Sequence, residues 1–132
     1  MRVQMTPRTV RRLLAADGYL DLGLADRAAA ELEQISVAGP LEGPRLLLLG
    51  LAKKQLGDFG AAVRHLERAA RMMPRAVRRF VWRELVDAYR GVGCEELAAM
   101  AEELGGDAEL QLTIQLPSSS SDLQVAASRS RV

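Results

Sequence analysis

Acid–base, nucleophilic or metal chemistry needs suitable side chains close together, and this chain of 132 residues holds one histidine and one cysteine. His65, set among Arg64, Glu67 and Arg68, has no second imidazole with which to build a transition-metal site, and Cys94 has no thiol to pair with. A Cys/His dyad or a Ser/His/Asp triad would have to draw on these same two side chains. The expectation is therefore no catalytic residue, no metal ligand and no cofactor. His65 is read as an ordinary residue of a solvated helix face, and Cys94 as a small packing residue. A fold held by packing alone suits a reducing, cytoplasmic compartment.

The formal net charge of +1 gives no global attraction to a polyanion, so local patches matter more. Leu13–Ala16 is interrupted by Asp17 and Asp21 before a signal-peptide core can form, which also makes Arg11-Arg12 a poor twin-arginine signal. The apolar run Leu46–Ala52 is far shorter than the roughly 20 residues that span a bilayer, so no membrane partner is expected. Abundant Ala and Leu with comparatively few β-branched residues favour helix, and the length suits one domain. An all-α class follows.

The elements that must position any functional side chain are set by an internal repeat. Gly23, Ala28, Leu32, Ile35 and Pro40 recur as Gly57, Ala62, Leu66, Ala69 and Pro74, each 34 positions further on. Trp82, Leu85, Tyr89, Gly93 and Ala98 continue the pattern after a slip of two residues, and Tyr19, Gly23 and Ala28 have the spacing of Tyr89, Gly93 and Ala98. Small residues (Ala16, Gly50, Ala28, Ala62, Ala98) allow close helix approach, and Tyr19, Leu32, Leu66, Trp82 and Tyr89 fill the space around them. Gly23, Gly57 and Gly93 are placed to end the first helix of each pair, Pro40 and Pro74 to stop the second.

Six helices are predicted, over residues 7–22, 25–36, 44–56, 59–72, 76–91 and 94–104, with Thr6 as the first cap, Val10, Leu13, Leu14 and Tyr19 at helical spacing and Gly105-Gly106 closing the last. After Gly106 the composition shifts to the serine run Ser118–Ser121 and a small, polar end, which predicts a disordered tail over 107–132. Within it, Leu110, Leu112, Ile114 and Leu116 alternate with polar residues as a strand does. Residues 110–116 are read as a docking segment, for a helical surface of this chain or the edge of another.

The repeated residues, over about 7–104, resemble the tetratricopeptide repeat, a helix-turn-helix unit with Trp, Leu-Gly, Tyr, Ala, Phe and Pro at fixed offsets. The second copy follows the pattern through Leu46, Leu49, Gly50, Phe59, Ala62, Leu66, Ala69 and Pro74, with Lys53 in place of Tyr. The third departs at Val86 and Glu102, and the first at Arg12. The resemblance implies a right-handed α-α superhelix of three helix pairs within residues 1–106, whose first helices line a concave groove. The groove positions would be Leu13, Asp17, Leu20 and Asp21, then Leu47, Leu51, Lys54 and Gln55, then Phe80, Arg83, Asp87 and Arg90.

Leu47 and Leu51 lie outside the repeat's own packing positions and are expected to form an exposed apolar strip for a ligand. The function so implied is a non-catalytic adaptor or scaffold, partnered by another protein or a peptide. Capture of a chaperone's C-terminal carboxylate is excluded, because Leu13 and Asp17 stand where that activity needs a Lys and an Asn. Arginine dominates residues 64–90 and acid follows from Glu95 to Glu109, a polarity that suits acidic peptides or end-to-end homo-oligomers. Two alternatives are a helical-repeat nucleic-acid-binding protein using the 64–90 stretch and an accessory subunit of an enzyme complex. Nucleic acid is disfavoured because Trp82 and Tyr89 are required by the repeat core.

Overall fold

The computed structural model describes residues 7–36 and 38–107, and every regular element among them is helical. Six α-helices follow one another: α1 Pro7–Asp21, α2 Ala25–Glu33, α3 Glu42–Gln55, α4 Phe59–Met72, α5 Arg75–Gly91 and α6 Glu95–Glu102. A 3-10 turn at Gly39–Leu41 leads into α3, and a π-helical turn at Glu103–Asp107 follows α6. The Thr6 cap and the segment 110–116 lie outside the described residues.

The three hairpin turns are built alike. Gly23, Gly57 and Gly93 have φ of 77°, 82° and 83°, the left-handed region where a side chain would be strained. In each turn the amide three residues past the last helical residue donates back across the helix end: Leu24 to the Tyr19 carbonyl at 2.8 Å, Asp58 to Lys53 at 2.9 Å, and Cys94 to Tyr89 at 2.9 Å. The glycine amides donate to Leu20, Lys54 and Arg90, which completes the same C-terminal cap three times.

Each hairpin packs on the next. α1 meets α2, α2 meets α3, and so on to α6, while α1 also touches α3 and α3 touches α5; among the described residues α2, α4 and α6 do not touch one another. The first helices thus form one connected row. Close approach of α3 and α4 depends on Gly50, where a Cβ would stand 2.6 Å from Leu66 Cγ. Leu32 and Leu66, at equivalent repeat positions, are both fully buried. Two apolar clusters result, one from α1, α2 and α3 around Leu32, the other from α3 to α6 around Leu46, Leu66, Val81 and Leu85.

Several boundaries and environments depart from expectation. α2 ends at Glu33 rather than 36, before Pro40, which sits in the 3-10 turn instead. Pro74 caps the start of α5 in an extended conformation, so that helix begins at Arg75. The last turn runs through Gly105 and Gly106 as a π-helix rather than closing there. Val10 and Leu14, expected on the packed face of α1, are exposed, because Leu13, Ala16 and Leu20 make that face. Cys94 is exposed at the start of α6, where the glycine turn carries it outward, and is not a packing residue. Glu102 holds the position that Leu32 and Leu66 fill in the earlier pairs, so the last hairpin buries only Ala98 and Ala101 from α6. Among the described residues no helix is long and apolar enough to cross a membrane.

Candidate functional site

Four of the charged residues expected in the groove, Lys54, Arg83, Asp87 and Arg90, are engaged by groups on neighbouring elements. Lys54 on α3 reaches α5, with Nζ 2.6 Å from Glu84 Oε1 and 3.2 Å from Asp87 Oδ2. Burial opposes its charge, but the hydrogen bond to Glu84 and the charges of Glu84 and Asp87 outweigh burial, so its pKa stands above the ordinary lysine value. Gln55 donates from Nε2 to the Leu20 carbonyl at 3.3 Å and ties α3 to α1. Arg83 donates from Nε to the Gly105 carbonyl at 3.2 Å. Arg90 pairs with Glu102 at 3.0 Å and Glu95 at 3.5 Å, clamping α6 to α5.

The apolar groove candidates divide differently. Leu13 and Leu20 are buried in the first cluster, since α2 and α3 close over them, and so line no groove. Leu47 and Leu51 are half-buried, Leu47 packing on the second cluster and Leu51 on the first. They bridge the two cores and do not form a fully exposed strip. Asp17, Asp21, Asp87 and Phe80 remain exposed, Phe80 at 40%.

His65 was placed on a solvated face, but it is half-buried on α4, and its Nδ1 is enclosed without a hydrogen-bond partner. Burial first, then the charges of Arg64, Lys53, Arg45 and Arg68, pushes its pKa below the ordinary histidine value. Among the described residues no group of three or more His, Cys, Asp or Glu side chains could hold a metal.

A feature that the repeat pattern did not predict lies on the opposite side of α5. A cleft of about 650 Å³ opens between α4 and α5, lined by Glu67, Ala70, Arg71, Arg78, Trp82 and Tyr89. Trp82 was expected to fill the core; it is half-buried and packs on the second cluster with part of its ring in the cleft, because facing Ala70 is too small to close the space. Tyr89 forms the floor, its hydroxyl donating to Glu67 Oε2 at 2.5 Å. Burial and that bond push the phenol well above the ordinary tyrosine pKa, so the pair is a fixed neutral donor on a carboxylate. The signal for this cleft was present in the sequence as Arg78, Trp82 and Tyr89, about one and two helical turns apart on one face.

Comparison with family models, curated proteins and solved structures finds no match for the chain.

Proposed function

We propose that this chain is a tetratricopeptide-like helical repeat that acts as a non-catalytic adaptor, binding a polypeptide segment along the row of first helices α1, α3 and α5. The observation that supports it most is the threefold use of one glycine-capped hairpin, which sets the first helices side by side in one continuous row. Helix pairs stacked in this way form a right-handed superhelix with that row on its inner side. Phe80, Asp17 and Asp87 present contacts to solvent there, while Lys54 and Gln55 tie the helices of the row together and Arg90 holds α6 to α5. Cys94, exposed and unpaired, suits the reducing cytoplasm.

The test is selection from a displayed peptide library, followed by titration of the selected peptide against wild type and Phe80→Glu, a change at an exposed position. Micromolar binding, reduced about ten-fold or more in the folded variant, is expected, since a groove contact carries a disproportionate share of the affinity. Selected peptides that bind the variant as tightly as wild type remove the first-helix row as the site.

A further inference from the structure

The charge on the two sides of α5 is disposed of differently. On the side facing α3 and α6, Arg90 has carboxylate partners, Lys54 satisfies Glu84 and Asp87, and Arg83 is anchored to a backbone carbonyl. At the α4–α5 turn, Arg71, Arg75, Arg78 and Arg79 have no carboxylate partner among the described residues; Arg78 donates only to the Met73 carbonyl, at 3.2 Å. Glu67, which also lines the cleft, accepts from the neutral Tyr89 hydroxyl and forms no ion pair with these arginines, so two guanidiniums face one carboxylate there. Two of these free guanidiniums, Arg71 and Arg78, stand at the mouth of the cleft that Trp82 walls.

We propose that the α4–α5 cleft binds an acidic peptide segment, its carboxylates on Arg71 and Arg78 and a large apolar side chain against the Trp82 indole. The volume is within the roughly 300 to 1,000 Å³ range of ligand pockets, and a planar guanidinium pair matches carboxylates in bidentate fashion. The remaining Glu67 oxygen accepts a backbone N–H from the segment, a donor that a peptide has and a phosphate lacks. Nucleic acid fits less well: Tyr89 is only 3% exposed and Phe80 lies on the other side of the helix, so one ring alone is open to a base where strand binding stacks several. The site is separate from the exposed contacts of the first-helix row, because Arg78, Trp82 and Tyr89 point away from Phe80 and Asp87 on the helical wheel.

Trp82 is the chain's one tryptophan, so its emission reports the cleft directly. The probes are a short end-blocked peptide of aspartates and glutamates around a central Leu-Phe pair, the same peptide with lysines for its acids, and a single-stranded oligonucleotide. Expected is a saturable change in Trp82 emission with the acidic peptide, absent with the lysine peptide and weaker with the oligonucleotide. Binding should fall about ten-fold or more in Arg71→Glu with Arg78→Glu, two exposed changes whose folding is checked by circular dichroism, because attraction becomes repulsion at contact distance. Phe80→Glu should leave it unchanged. The proposal is overturned by no saturable response to the acidic peptide, by indifference to the double reversal, by tighter binding of the oligonucleotide, or by loss of binding in folded Phe80→Glu.

Discussion

The two sides of α5 carry similar side chains and use them in different ways. On one, Lys54, Glu84 and Asp87 join α3 to α5, and Arg90 joins α5 to α6 through Glu95 and Glu102. On the other, Arg71 and Arg78 form no ion pair among the described residues and outnumber Glu67, the carboxylate of their open cleft, which accepts from the Tyr89 hydroxyl. Charge density read along the chain cannot separate these cases, because ion pairing depends on which helix lies across from which. An arginine whose field is cancelled by a neighbour adds to the fold; one left uncompensated is available to a partner.

The largest way to break the comparison is to remove what both sides share. Leu85 is fully buried in the second cluster, so Leu85→Ala should cost about 2 to 5 kcal/mol through lost burial and a residual cavity. Both sides should fail together in one cooperative denaturant transition; a transition confined to α5 and α6, followed by hydrogen exchange, would show that the sides are separable.

A smaller effect tests the structural role of the paired side. Lys54→Met keeps the aliphatic stem but leaves Glu84, 23% exposed, without its cation, and should cost about 1 to 2 kcal/mol in chemical denaturation. Wild type should lose part of that difference at high salt. Equal stability of the two proteins at every salt concentration would show that the bridge only occupies the surface.

The smallest expected effect sharpens the contrast through pH. His65 is held neutral, its folded pKa below the unfolded value of about 6.5, so the unfolded chain binds more protons once the pH falls below that value. Stability should therefore decline as pH drops below about 6.5, where the unfolded imidazole takes up a proton that the folded one resists. His65→Gln should flatten this part of the profile. Were the slope unchanged in that variant, His65 would not be its source.

Local features were legible because they obey local rules. The turn glycines announce themselves by spacing and by the left-handed φ that each adopts, and Gly50 opposite Leu66 follows from the small-residue position of the repeat. Trp82 shows where such reading stops. Its place in the repeat is that of Leu46, which is fully buried, yet Trp82 is only half-buried beside Ala70, since a cleft depends on the size of a residue on another helix. Leu47 and Leu51 were similarly placed outside the repeat's packing, but lie between the two clusters that the stacking of hairpins creates.

By itself, then, the sequence determined the six helices, the three glycine-capped turns and the small residues at which helices meet, because periodicity and backbone conformation are properties of neighbouring residues. The tertiary structure alone decided which charges cancel, which aromatic ring stays open and that Cys94 is exposed while His65 is half-buried, because these depend on side chains brought together from distant positions.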